Sequence, residues 1–413
     1  MPESFSSTER KNLAPFFTNL DKPVFGLILP QEVAGALFSR YSRSTKSLRR
    51  TFLDEFLGDP DLALRDLLGG QPPAGEQNAA LKKARAFYER VLVGYGDDSV
   101  AQLGAAHIAC EEISNVAVKI LEDARIGMAP LEKSTRYVRF DQKDTGGEYL
   151  FYRDSRIMAS SHRDAYLETL NLLFETYSRQ IEPMIEFVRS SLPIERIELR
   201  HPQTGEPLSY QDAQKDEKLK KWAEIGYRST VRAHACDVLR GYLPAATLTN
   251  AGFFGVGQAF EYLLTKLYSH ELTEAQNLAV SMHEELNKMI PSFVKRARFN
   301  DYLSATASAS RSVSEKILKN APVSKSDPVT LIDYDRGAEE KVTAAVLYPH
   351  SQHPLEQVRQ AVAGLSDDQR SKILQEYWSR RKHRRDKPGR ALEHVYYTFD
   401  ILGNLGLYRD LQR

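Results

Sequence analysis

Seven apolar residues, Tyr166, Leu170, Leu173, Tyr177, Ile181, Met184 and Val188, recur at spacings of three and four. Each step returns to the same side of an α-helix, so the segment predicts one long amphipathic helix. Such a stripe gains most of its stability from the layer that covers it, and any fold for this chain must supply that layer. Composition allows it: 42% of the 413 residues are hydrophobic and 27% are charged, which sets the chain apart from disordered sequences. The length fits two units, or one large unit with an appendage.

Other signals place elements around this helix. The apolar run Val24–Leu29 stops at Pro30, and a helix is expected through Leu48, Phe52 and Phe56. Gly69, Gly70, Pro72, Pro73 and Gly75 mark a loop, after which helical spacing runs from Leu81 toward Val93. A second long helix is expected from near Ser99 to about Ala124, with Ile108, Ile113, Val116, Ile120 and Leu121 on its apolar face. The turn Gly127-Met128-Ala129-Pro130 ends it, and Thr135–Phe140 alternates as a strand would. Pro193–Lys221 is polar and reads as a surface excursion with a short hairpin at Thr204-Gly205. A helix leading to Arg240 breaks at Pro244, and another is expected over Phe253–Leu267. Thr273 with Gln276 is a capping-box pattern for the next helix, which ends by Pro291. Asn320–Glu340 reads as a polar linker with a β-like run at Val329–Ile332. Ser366 with Gln369 is a second capping box. The basic run Arg380–Arg385 follows, then Pro388-Gly389 and a last helix.

Net charge is +1, so the chain as a whole has no polycationic footprint for nucleic acid. The two cysteines, Cys110 and Cys236, form no CxxC or Cys/His cluster. That excludes a zinc site of this type and a disulfide scaffold, and points to a reducing compartment. Met1–Lys11 lacks the apolar core of a secretory signal, and no stretch of about 18 apolar residues is present. The expected setting is cytoplasmic, without membrane contact.

Internal similarity sharpens the reading. Glu112-Ile113-Ser114-Asn115-Val116 resembles Ile401-Leu402-Gly403-Asn404-Leu405, and Gln102-Leu103 stands near where Glu393-His394 stands in the later copy. Three motifs then point to one family. Glu132-Lys133-Ser134-Thr135-Arg136-Tyr137 resembles the latter half of RHRxxSxNExSxRY, the signature of flavin-dependent thymidylate synthases. Glu393-His394-Val395-Tyr396-Tyr397-Thr398-Phe399 is similar to the Glu-His…Thr-Phe element that precedes that signature. Arg240-Gly241-Tyr242-Leu243-Pro244, with Thr249, resembles the family's Arg-x-x-Leu-Pro…Thr element. The resemblance spans about Val93–Pro291 and Ala391–Arg413. It also has departures. The first unit reads Ala124-Arg125-Ile126 at the RHR positions, Ala129 and Leu131 replace the family's Ser and Asn, and Val256 and Gln258 stand where a flavin-contacting Asn and Arg are expected.

The resemblance implies an α+β fold of long helices packed on a mostly antiparallel sheet. It implies methylation of dUMP to dTMP, with methylenetetrahydrofolate as carbon donor and reduced FAD as hydride source. FAD is the implied cofactor, and NADPH and methylenetetrahydrofolate are co-substrates. The implied assembly is a homo-oligomer with its active site between subunits. Substrate binding falls to Glu132, Ser134, Arg136 and Arg240, and cofactor binding to Ser99, Arg125, Glu393, His394 and Arg413; no metal is implied. The chemistry suits these types: Arg136 and Arg240 offer planar forks of donors to a phosphate or a pyrimidine carbonyl, and Ser134 a neutral donor. Each residue also has a plainer role. Glu132 and Arg136 can form a solvated ion pair, Ser99 can cap a helix after Asp97-Asp98, and His394 can be an ordinary surface or core histidine.

The expected organisation is a divergent synthase-like unit over 1–318, a linker over 319–345 and the start of a second unit over 346–413. At family spacing the first Arg of RHR falls on Arg413, so the chain is expected to be a truncated form that binds FAD weakly. Its terminal carboxylate would oppose flavin phosphates. The alternative is a non-catalytic member that keeps the fold and binds a nucleotide. A nucleic-acid role for Arg380–Arg385 ranks last, because only Tyr377 and Trp378 supply aromatic neighbours in the sequence.

Overall fold

The structure, a computed structural model, describes residues 4–57 and 101–412. The glycine/proline loop, the helix toward Val93, Ser99 and Arg413 lie outside the described residues. The chain divides into two compact units, one ending at Lys319 and one spanning Asn320–Leu411.

The first unit is built on an antiparallel sheet of β1 (Ala105–Ser114), β2 (Met128–Glu132) and β3 (Leu248–Val256), with β3 in the middle. The helix expected from Ser99 to Ala124 is instead β1 followed by the short helix α1 (Asn115–Glu122). Ala106, Ile108 and Cys110 point inward while His107, Ala109 and Glu111 point outward, and that period of two is a strand's. A bulge between Cys110 and Ile113, with Glu112 at φ 56°, resets the alternation so that Ile113 also points inward. Ser114 then caps α1, its hydroxyl accepting from Ala117 N–H at 3.0 Å.

Two further expectations change. Thr135–Phe140 is not a strand; the strand is β2, just before it, and Gly127 at φ 74° leads into it. Phe253–Val256, expected to open a helix, closes β3, and helix α2 (Gly257–Tyr268) follows. Phe253–Val256 is a short apolar run, for which periodicity does not separate strand from helix. The helix after it, α3 (Thr273–Met289), lacks the expected capping box. Leu272 is its N-cap, and Gln276 Nε2 donates instead to the His270 carbonyl at 2.7 Å.

The inward face of the sheet, with Ile108, Cys110, Met128, Ala251 and Phe253, shares one core with Phe260, Leu264, Met282 and Leu286 of α2 and α3. Leu48, Phe52 and Phe56 join it from a helix that passes into a π-helical turn over Phe52–Phe56. A second core covers the long stripe. Helix α4 (Arg163–Ser191) buries Leu170, Phe174, Tyr177, Ile181 and Val188 against Val231, Ala235 and Leu239 of α5 (Glu217–Leu239). Tyr166, Leu173 and Met184 lie at its margin. The excursion between these helices does hold a hairpin, Leu199–Arg200 with Pro207–Leu208, and Gly205 turns it at φ 73°.

In the second unit, residues 319–345 are not simply a linker. They hold the strand β4 (Val329–Tyr334) and most of helix α6 (Ala338–Leu347), because Val342, Ala344 and Ala345 pack against Leu374, Ala391, Val358 and Val362. Ser366 and Gln369 form the expected capping box of α7 (Asp367–Trp378). The single last helix expected after Pro388-Gly389 is a 3₁₀ turn (Arg390–His394), the strand β5 (Tyr397–Ile401) and helix α8 (Leu405–Leu411). β5 pairs antiparallel with β4. The protein is thus α+β, with long helices and small antiparallel sheets. No helix among the described residues is long and apolar enough to cross a membrane.

Candidate functional site

At one end of the first unit's sheet, Val256 N–H donates to the Gly127 carbonyl at 3.0 Å. A groove of about 1330 Å³ opens there. Its walls are Asp123–Gly127 after α1, the first turns of α2 through Gln258 and Tyr262, and the segment from Arg296 to Leu303. α2 starts without a side-chain cap, so the positive end of its dipole lies at the groove. Arg125, Lys266 and Arg298 line it, and Arg296 forms an ion pair with Glu261 at 3.0 Å. Lys266 Nζ stands 5.3 Å from the centre of the Tyr262 ring. Tyr262, Phe299 and Tyr302 are all more than half exposed. Gln102 donates to Gln258 Oε1 at 2.7 Å and joins two walls. Cations beside open aromatic faces suit a ligand that combines phosphate with planar rings.

The fold gathers in this groove the positions that the resemblance would assign to a flavin: Ala124, Arg125, Ile126, Val256 and Gln258 all line it. They come from two segments far apart in sequence, joined because β2 and β3 pair. The substrate-side residues do not line it. Glu132 shares the inward parity of Met128 and Pro130, so its side chain is buried; Lys119 Nζ lies 3.6 Å away and also pairs with Glu122. Glu132 thus lies on the inward side of the sheet, beside Lys119. Ser134 opens the turn after β2, where its Oγ accepts from Arg136 N–H at 3.2 Å. The Arg136 guanidinium lies 5.8 Å from the Tyr137 ring and has no carboxylate partner among the described residues. Arg240 follows α5 and pairs with Asp237 at 3.0 Å. Glu393 and His394 are exposed in the 3₁₀ turn of the second unit, where Glu393 pairs with Arg390 at 3.0 Å.

Sequence reading missed Lys266, Arg298, Tyr262, Phe299 and Tyr302. One signal was available: Lys295-Arg296-Ala297-Arg298-Phe299 sets three cations beside an aromatic soon after the Pro291 helix break. Among the described residues no group of three or more His, Cys, Asp or Glu is arranged to hold a metal ion. Both cysteines are buried; burial pushes the Cys110 thiol up to about 11 and raises that of Cys236. Cys110 is therefore protonated at neutral pH and unsuited to nucleophilic attack.

Residues 63–292 match the model of a family described as thymidylate synthase complementing protein, Thy1. A UPF0159 protein of Chlamydia muridarum (strain MoPn / Nigg) is 39% identical over 420 residues, covering 99% of this chain and 73% of that protein. One from Chlamydia pneumoniae is 40% identical over 423 residues, covering 100% and 73%. One from Thermoplasma acidophilum is 34% identical over 383 residues, covering 92% and 71%. Among solved structures, a UMP/dUMP methylase PolB from Streptomyces cacaoi bound with 5-Br dUMP aligns over 65% of this chain and 90% of its own, at TM-score 0.35 and 14% identity. The family match takes in more than half of the chain, including the turn after β2 and the Gly127–Val256 end of the sheet, and so the chain belongs to the thymidylate synthase complementing protein family.

Proposed function

We propose that this protein takes part in FAD-dependent methylation of dUMP to dTMP, with methylenetetrahydrofolate as carbon donor, reduced flavin as hydride source and NADPH as the source of its electrons. One observation carries the reading: residues at the family's flavin-side positions, 124–126, 256 and 258, share one groove. The donor set fits a dinucleotide. About 1330 Å³ is ample space, since small-molecule sites run roughly 300–1,000 Å³. Arg125, Lys266 and Arg298 would hold the diphosphate, assisted by the positive end of α2. Tyr262, Phe299 and Tyr302 would offer ring faces. When bound, the flavin supplies the hydride chemistry.

The rest of the work falls to this chain's own side chains. Arg136 and Ser134 would bind the nucleotide phosphate from the turn after β2, and Arg240 would add a second fork of donors. Glu132, buried against Lys119, is a positioning residue that fixes where that turn leaves the sheet. The second unit reads as synthase-like in the order of its elements. Its order supports this: β5 leads into α8, and Leu407 N–H donates to Asn404 Oδ1 at 2.9 Å, as β1 leads into α1 through the Ser114 cap. A homo-oligomeric, cytoplasmic enzyme completes the proposal.

A second reading, nucleotide binding without catalysis, is favoured by Ala124 and Ile126, which offer no cation or polar group to a flavin phosphate; Ile126 is 95% exposed. Titrating the purified full chain with FAD, by quenching of flavin fluorescence, separates the two readings when combined with tritium release from 5-tritiated dUMP. Flavin binding weakened by Arg298→Ala, together with tritium release, supports the enzyme. dUMP binding without either supports the second reading. Absence of all three would sink both.

A further inference from the structure

We propose that the second unit carries a surface for single-stranded nucleic acid, formed by the basic segment Arg380–Arg390 and the aromatic face of β5. This goes beyond nucleotide methylation and rests on a different part of the chain. Between Arg380 and Arg390 there are seven Lys or Arg residues and one acidic residue, Asp386. That carboxylate is spent inside the loop: it accepts from Lys382 N–H at 2.8 Å and His383 N–H at 3.3 Å, and lies 3.5 Å from His383 Nε2. Arg380 pairs with Glu376 and Arg390 with Glu393, at the two ends of the segment. Between them, Lys382, Arg384, Arg385 and Lys387 are exposed and have no carboxylate partner among the described residues. The loop is thus ordered by its own aspartate while its cations face solvent.

Charge alone would suit any polyanion. What selects a nucleic acid is the aromatic surface in the same unit, which is not visible when the run is read alone. β5 places Tyr397 and Phe399 two residues apart on one face, with ring centroids 6.3 Å apart and planes at 23°. They are 61% and 51% exposed. Trp378, directly before the basic segment, is 40% exposed. The segment's far end is fixed where Ala391 N–H donates to the Tyr377 hydroxyl at 3.4 Å. Parallel exposed rings on a strand are stacking platforms for unpaired bases, and cations alongside track the phosphates. A duplex keeps its bases stacked out of reach of the rings, and an acidic peptide would use the cations and leave the rings idle.

The test is fluorescence anisotropy of the full chain with a labelled oligothymidylate of about 20 nucleotides, across a series of salt concentrations. Changing Lys382, Arg384, Arg385 and Lys387 together to Ser should lower affinity at least ~30-fold and flatten the log–log salt slope by about 3, at roughly 0.7 per cation engaged. Tyr397→Ser with Phe399→Ser should weaken binding by about 30-fold or more, at roughly 1 kcal/mol or more per ring, and leave the slope unchanged, because stacking releases no counterions. Unchanged far-UV circular dichroism and dUMP binding in both variants show that fold and nucleotide site are intact. Unaltered oligothymidylate binding in the four-cation variant would overturn the proposal. So would equal competition by polyglutamate or by a duplex together with an indifferent ring variant, since that describes a polyanion patch only.

Discussion

Replacing Glu274 by alanine should cost the first unit about 3–5 kcal/mol. Its side chain leaves the first turn of α3 and reaches Ser114, the residue between β1 and α1. Oε1 accepts from Ser114 N–H at 2.8 Å and Oε2 from Ser114 Oγ at 2.6 Å. Both residues are buried, and Ser114 Oγ in turn accepts from Ala117 N–H. Truncation therefore leaves a buried N–H without an acceptor and releases the hydroxyl that caps α1. An unpaired buried donor costs about 1–3 kcal/mol and a lost hydrogen bond to a charged group about 1.5–3. At about 2 °C per kcal/mol for a unit this large, Tm should fall by about 6–10 °C. The assay is urea and thermal unfolding of the wild type, Glu274→Ala, Ser114→Ala and the double variant. The two single changes share one bond, Ser114 Oγ to Glu274 Oε2, because the Ser114 backbone N–H still reaches Glu274 in Ser114→Ala; the double variant should therefore cost less than the sum of the two, by a coupling of about 1.5–3 kcal/mol. Costs that add within about 0.5 kcal/mol would refute the reasoning.

The same carboxylate gives a pH signature. Burial raises the Glu274 carboxyl above its usual range, the two Ser114 hydrogen bonds oppose that, and Asp154 raises it further. A raised folded-state value means that folding favours the protonated form. Its stabilising contribution is full below the unfolded pKa and is lost as pH rises through the folded one. Glu274→Gln, neutral throughout, should therefore gain on the wild type as pH rises above about 4.3; a stability difference flat with pH would contradict this. Gly257→Ala should cost about 1–3 kcal/mol by overpacking, since a Cβ there would stand 2.5 Å from Phe293 Cβ and 3.0 Å from the Ala101 carbonyl. Gly252→Ala, with nothing within 4 Å, is the control and should stay within about 0.5 kcal/mol in the same melts. Gly127→Ala, at φ 74° with Val256 Cγ2 3.0 Å from the new Cβ, should cost about 1–3 kcal/mol and weaken FAD binding without removing a cation. dUMP should raise Tm by linkage; Arg136→Ala should abolish most of that rise and leave the unliganded Tm nearly unchanged, because it breaks no ion pair.

The sequence by itself determined the elements whose own residues fix them. The α4 stripe was legible because seven positions over more than six turns allow only one period, and the Ser366–Gln369 cap because its two hydrogen bonds are local. The family was legible because Glu132, Ser134, Arg136 and Tyr137 keep a spacing that needs no tertiary knowledge. β1 was not: Ala105–Ser114 is a strand because β3 lies beside it, and a bulge hides its alternation. The side of the sheet to which Glu132 belongs was likewise undecidable from the motif, since one residue of register decides between core and solvent. The groove is wholly tertiary. Arg125, Gln258 and Arg298 are brought together by the pairing of β2 with β3 and by the chain's return past α2, and no local interaction encodes that meeting.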